Sequence, residues 1–341
     1  MNNEKLISIH LNSNKPDSFE EFIRSLAKRT NNLELIEVIV SIDKDDFKML
    51  NLIDQINNKY YGLIKKIETD LIKSFLDAWK PLNLLLNVTS PSVKYISCMS
   101  DDIRFKTNNW DTLILGYENY FSDNIFRIRC SKYKKESYND IWECGYKPDS
   151  YAFYTKKWLD IIKIWNPCIG PDTFQECISY YMREQYGEKY NRDIVDNNIT
   201  FDGQEVSSGM KFKNRIKRTR IYYKAFFILM SYKVQSLANK KAYELSYVID
   251  QKNIRYKKLS YFKITYINFI RRFNFFYYRG SPNHFINSKL KNIFFYIWCY
   301  TEFLDNILIK IIIFLSSKGI IDKIIKDKKK LEQIKSIIRH E

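Results

Sequence analysis

Two adjacent carboxylates, Asp101 and Asp102, close an apolar run from Val93 to Met99 in the segment VKYISCMSDDIRFKTNNWD. Side-by-side acids at the end of a buried strand repel each other and cost desolvation unless a positive charge lies between them and a partner. A hard divalent cation such as Mg²⁺ or Mn²⁺ supplies that charge, takes oxygen ligands and shares them with phosphates. In an open α/β sheet, ligands bind beyond the carboxyl ends of the strands. This turn is therefore where a nucleoside diphosphate is expected. The plain alternative is an Asp-Asp turn with no ligand, and the surrounding chain has to decide between them.

Other chemistries are excluded or weakened by what the chain lacks. The six cysteines (Cys98, Cys130, Cys144, Cys168, Cys177, Cys299) form no CxxC pair, and there are only three histidines (His10, His284, His340), so zinc-site spacing is absent. The cysteines are expected to be reduced thiols of a cytoplasmic protein. No glycine-rich phosphate loop occurs, so a bound nucleotide would be held by carboxylates and a metal. The opening MNNEKLISIHLNS has no apolar signal-peptide core.

The elements that must position these acids follow from periodicity. Leu6–Leu11 is an apolar strand, followed by a polar turn containing Pro16, and Phe19, Phe22, Ile23 and Leu26 share one helical face. Leu35–Ile42 is a β-branched strand ending in Asp43-Lys44-Asp45-Asp46, with a helix through Asn57 after it. Tyr61–Ile67 is a third strand, Leu71–Asn87 a helix and Val93–Met99 a fourth strand. This alternation predicts an α/β domain with a mostly parallel sheet flanked by helices.

The order of these pieces resembles a GT-A-fold glycosyltransferase of the inverting, family-2-like group, over residues 5–190. LISIHLNSNKP followed by FEEFIRSL resembles the family's opening strand, basic-Pro turn and first helix. EVIVSIDKDD resembles its second strand, and YISCMSDDIRFKTNNWD its "DxD" region with the downstream Trp-Asp. The resemblance implies that Asp43 contacts the nucleotide base, that Asp102, with Asp101 beside it, ligates Mn²⁺ or Mg²⁺, and that Asp101 and Trp110 line the donor site. Ser100 stands where the family carries a first acid, which leaves a weaker or metal-independent site open. DSYAFYTKKWLDIIKIWNPCIGPDTFQECISYYM resembles the acceptor half, with Asp172 at the position of the general base. The implied reaction is transfer of a sugar from a nucleoside diphosphate sugar to a glycan or lipid-linked acceptor. The alternatives are a degenerate GT-A domain that only binds, and a nucleotidyltransferase, although the early glycine-rich loop of that class is missing.

Charge divides the chain. Residues 211–341 hold 29 Lys and Arg against 8 Asp and Glu, whereas residues 1–210 hold 27 against 31. A boundary is expected near 210, with a catalytic domain at 1–210 and a basic, aromatic, mainly helical region at 211–341. That second region suits a membrane surface, an accessory or dimerisation role, or, least well, nucleic acid. The stretch Asn292–Ser317 is interrupted by Glu302, Asp305 and Lys310 and falls short of a membrane span. A cytoplasmic protein, peripheral on the membrane's cytoplasmic face, is the expected location.

Overall fold

The computed structural model describes residues 4–72, 77–130, 141, 149–168, 170–203, 228–251 and 253–268. The readings made for 269–341, His284 and His340 included, lie outside the described residues, as do those for 211–227.

Nine strands and seven longer helices are seen among the described residues. The chain opens with β1 (Ile7–Asn12), α1 (Pro16–Arg29), β2 (Ile36–Asp43), α2 (Phe47–Lys59), β3 (Ile64–Thr69), α3 (Trp79–Val88) and β4 (Tyr95–Cys98). It continues through β5 (Ile103–Phe105), α4 (Trp110–Leu115), β6 (Arg127–Arg129), β7 (Phe153–Thr155), α5 (Lys156–Ile162) and α6 (Pro171–Tyr186). β8 (Asp193–Val195), β9 (Phe201–Gly203) and α7 (Tyr232–Ile249) complete it.

Seven strands form one sheet in the order β3-β2-β1-β4-β7-β6-β8, and β5 pairs with β9 in a small second sheet. β1, β2, β3 and β4 run parallel, and β6 runs parallel to β8. Only β7 runs against its neighbours. The expected α/β architecture is therefore present, with a mixed sheet whose first four strands are wholly parallel. β1 and β2 are almost entirely buried, which is why they read as unbroken apolar runs rather than alternating ones. β3 lies at the sheet edge and carries Lys65, Lys66 and Glu68, charges that discourage pairing with another chain.

α1 starts at Pro16, where a missing N–H costs nothing, and buries Phe19, Phe22, Ile23 and Leu26. The Asp46 side chain caps α2 by accepting from Met49 N at 3.1 Å. α3 begins later than expected, at Trp79, and residues 71–72 are not helical. The core gathers Phe22, Phe105, Trp110 and Phe153 over the sheet, with Trp110 stacked on Phe153 at 5.6 Å and tilted against Phe105 at 4.8 Å. Each such buried aromatic contributes on the order of 2 kcal/mol from removal of apolar surface alone.

The expected boundary at 210 falls within 204–227, outside the described residues. Beyond it, α7 buries Val234, Ala238, Ala242 and Leu245, and Tyr181 of α6 donates its hydroxyl to Gln235 at 3.0 Å. No helix among the described residues is long and apolar enough to cross a membrane.

Candidate active site

The carboxyl ends of β2, β1 and β4 form a crest. Ser41 of β2 stands opposite Asn12 of β1, and His10 of β1 opposite Cys98 of β4. Counting on from these pairs puts Asp43 and the 100–102 turn at one height, on either side of the β1 end. Two strand spacings separate them, about 10 Å. The crest is built by short polar links. Ser13 N donates to Ser41 O at 3.2 Å, the Ser41 hydroxyl donates to the Asn12 side chain, and Asn12 Nδ2 donates to Ala78 O at 2.5 Å.

The two adjacent acids point in different directions. Asp101 is 8% exposed, and its carboxylate accepts from Ser13 Oγ at 2.6 Å. Its backbone carbonyl accepts from Ser18 Oγ and from Arg104 Nη1, both at 2.9 Å. Burial pushes the Asp101 carboxyl up, while the Ser13 hydrogen bond and the nearby Lys15 charge oppose the shift. Asp102 is half-exposed and accepts from the Ser100 hydroxyl. The outward carboxylate is thus Asp102, and Asp101 ties the β4 turn to the end of β1. One oxygen of Asp101 is taken by Ser13, so its part as a ligand alongside Asp102 stays a proposal.

Asp43 lies at the end of β2, where partial burial and repulsion from Asp45 and Asp46 push its carboxyl up. The tight turn that follows, with Asp46 N donating to Asp43 O at 3.1 Å, holds it at the crest.

Asp172 comes from another element. It is the second residue of α6, in the turn where the helix dipole favours a negative charge, and accepts from Ser150 Oγ at 3.0 Å. Its charge is felt at the Cys98 thiol at the end of β4, which burial and then Asp172 push far above the usual thiol range. The Asp172 charge therefore acts at the end of β4, the strand that leads into Asp102. Gly170, with φ +96°, turns the chain into α6, a conformation that favours glycine.

α6 is anchored from below by buried ions. Arg127 and Arg129 of β6 face Glu176 of α6 and Asp193 of β8. Arg127 Nε and Nη2 donate to Asp193 at 2.6 and 2.7 Å, and Arg129 Nη2 lies 3.1 Å from Glu176. Burial alone would push the Asp193 carboxyl up, but Arg127 beside it and Arg129 hold it well below the ordinary carboxylate range. Glu176 is one helical turn beyond Asp172, so the network fixes the helix that presents Asp172.

The downstream motif residues are scaffold. Trp110 is fully buried and donates Nε1–H to Thr30 Oγ1 at 3.0 Å, which favours a packing role over its expected place in the donor site. Asp111 is buried and accepts from the backbone N–H groups of Asn31 and Asn32 at 2.8 and 2.9 Å. Thr107 bonds to the backbone of Asn198 and Thr200. Ser13, Ser150 and Glu176 are supporting residues that the sequence pattern did not mark.

A Mg²⁺ or Mn²⁺ site is consistent with the oxygen chemistry of the turn, through the Asp102 carboxylate and the Ser100 hydroxyl. Among the described residues no group of three His, Cys, Asp or Glu gathers to hold a metal. His10 takes no part. It is fully buried and kept neutral, its pKa pushed down to about 3 by burial.

No family model matches the chain, and no curated protein matches it. Similar solved structures include a mannosyltransferase from Pyrobaculum calidifontis in complex with GDP-Man and Mn²⁺, at 11% identity and TM-score 0.48, covering 81% of this chain and 82% of that one. S. aureus TarS 1-349 in complex with UDP-GlcNAc matches at 14% identity and TM-score 0.42, over 72% and 73% of the two chains. The glucosyl-3-phosphoglycerate synthase of Mycobacterium tuberculosis matches at 12% and 0.44, over 70% and 80%. Likenesses this distant carry no argument about activity, which has to rest on the site itself.

Proposed function

We propose that the chain is a glycosyltransferase of the GT-A type, moving a sugar from a nucleoside diphosphate sugar to a glycan or lipid-linked acceptor with inversion at the anomeric carbon. The observation that supports this reading is that Asp43 ends β2 and Asp102 follows β4, on either side of the β1 end, while the Asp172 charge acts on Cys98 at the end of β4.

Asp43 would accept a hydrogen bond from the donor's base. Asp102 would hold Mn²⁺ or Mg²⁺, which, when bound with the donor, supplies positive charge for the leaving diphosphate. Lys15, whose charge is felt at Asp101, is placed to offer a further positive charge to the phosphates. Asp172 would take the proton of the acceptor hydroxyl as its oxygen forms the new bond to the anomeric carbon and the bond to the diphosphate breaks. Ser150 orients that carboxylate.

The second reading is a binding module that retains the fold without turnover. Ser100 in place of an acid, together with the inward Asp101, leaves a single outward carboxylate at the turn and favours it.

Thermal unfolding against a panel of nucleoside diphosphates, with and without Mn²⁺, tests the donor site, because a ligand bound only to the folded state raises the melting temperature. The expected result is a metal-dependent rise with one base that Asp102→Ala abolishes. No rise with any diphosphate would sink the donor-site reading. A rise without sugar transfer or donor hydrolysis would favour the binding module.

A further inference from the structure

We infer that the segment 253–268 is a docking surface for an anionic lipid bilayer, with Phe262 and Tyr266 entering the interface and Arg255, Lys258 and Lys263 meeting the headgroups.

The segment carries Arg255, Lys257, Lys258 and Lys263 and no acid. Residues 261–268 are helical, and Ile264 is buried against the fold. The opposite ridge is open. Phe262 is 83% exposed, Tyr266 65% and Tyr261 56%. Phe262 and Tyr266 are four residues apart and so lie one above the other on a single face. Lys263 adjoins them, and Arg255 and Lys258 are exposed on the extended chain that leads in. Phe262 meets Tyr261 edge-on at 5.9 Å and leaves most of its ring open.

The rest of the segment is firmly held, so the ridge is presented by a fixed element. Tyr261 packs edge-on against Tyr232 at 5.0 Å, and Tyr256 against Tyr243 of α7 at 5.5 Å. Asn239 Nδ2 donates to Lys257 O at 2.8 Å, and Lys257 Nζ donates to Gln185 O at 2.5 Å. The tethers on Tyr261, Tyr256 and Lys257 leave Phe262, Tyr266, Arg255, Lys258 and Lys263 for a partner.

Tyr266, apolar in body and polar at the tip, suits the level of lipid headgroups, the wholly apolar Phe262 suits the acyl boundary beneath them, and flanking cations are drawn to anionic headgroups. A short helix with two aromatic anchors and adjacent cations meets both demands. A nucleic acid would also meet the charges, and it is kept as an outcome of the test below.

The full chain is sedimented with vesicles of phosphatidylcholine alone and of an equal mixture of phosphatidylcholine and phosphatidylglycerol. Binding to the mixed vesicles, weakened by salt, is expected. Phe262→Ser with Tyr266→Ser should lower the partition coefficient at least tenfold, and Lys258→Gln with Lys263→Gln roughly fivefold per charge removed. Both double variants should keep the wild-type melting temperature. Binding to the mixed vesicles that neither double variant changes would overturn the assignment, as would no binding by the wild type. Tighter binding to single-stranded RNA than to the mixed vesicles would overturn it in favour of nucleic acid. A chain without transferase activity could still bind vesicles, so the two readings fail separately.

Discussion

Ser13 Oγ donates to the Asp101 carboxylate at 2.6 Å, joining the end of β1 to the turn after β4 across 88 positions of sequence. This hydrogen bond decides which of two neighbouring acids faces the solvent.

Asp101 and Asp102 should therefore respond differently to substitution. Asp101→Asn keeps an oxygen for Ser13 and removes a buried charge. Because the folded carboxyl titrates above its unfolded value, the folded state binds the proton more tightly, and the Asp101 contribution to stability fades as pH rises through that window. Asp101→Asn should thus be neutral or stabilising at pH 7 and keep the metal-dependent response to nucleotide. Asp102→Asn should leave stability unchanged and lose that response, with transfer falling about 10²–10³-fold. Equal loss in both variants would make Asp101 a ligand after all.

Asp172→Asn should lower kcat about 10²–10⁴-fold while the nucleoside diphosphate still raises the melting temperature as in the wild type. Ser150→Ala should act more mildly, lowering kcat with little change in donor KM, whereas a purely structural role would lower the melting temperature instead. Loss of nucleotide binding in Asp172→Asn would move this residue from the acceptor to the donor side.

Glu176→Gln should destabilise the chain by about 3–5 kcal/mol, since it strips a partner from two buried arginines. Chemical denaturation measures this directly, and a loss below about 1 kcal/mol would show that the network does not anchor α6. Asp193 behaves in the opposite sense to Asp101. Its carboxyl is depressed, so its stabilisation is present above the ordinary carboxylate range and is lost as pH falls below it.

His10 sets a further acid limit. Trp165 Nε1–H donates to His10 Nδ1 at 3.0 Å, so the ring's single proton sits on Nε2, which faces Thr89 Oγ1 at 3.0 Å and Ser8 Oγ at 3.1 Å. The unfolded ring takes a second proton near pH 6.5 and the folded ring only near 3. The unfolded state binds more protons between those values, and stability should fall by up to about 1.4 kcal/mol per pH unit as pH drops through them. Melting temperature against pH should be flatter in His10→Gln than in the wild type, and parallel curves would refute the assignment.

What the sequence disclosed and what it withheld divide along physical lines. β1, β2 and β4 were legible because strands covered on both faces are written as continuous β-branched runs, and α1 because Phe19, Phe22, Ile23 and Leu26 mark one face. β6, β7 and β8 are three residues long, and β6 reads Arg-Ile-Arg, indistinguishable from a solvated edge. Its charges are buried because Glu176 and Asp193 meet them from distant positions, which no local window reveals. Asp43, Asp102 and Asp172 were singled out by pattern alone, and their roles remain the proposal made above. Trp110 could be read from the sequence either as a sugar contact or as a seat for the following helix, because an aromatic after a ligand turn looks the same whether it faces solvent or the core. Here Phe105 and Phe153 cover it.

The docking of α7 on α6 bears on how this chain can be divided. α6 buries Phe174, Cys177, Ile178, Tyr181 and Met182, and Gln235 of α7 bonds both to the Tyr181 hydroxyl and to Leu229 O. A protein cut at residue 210, where charge changes sign, would lay the outer side of the Asp172 helix bare to water. Any attempt to isolate the acidic half should keep the chain through at least residue 268, because the helix that presents Asp172 packs against what the basic half supplies.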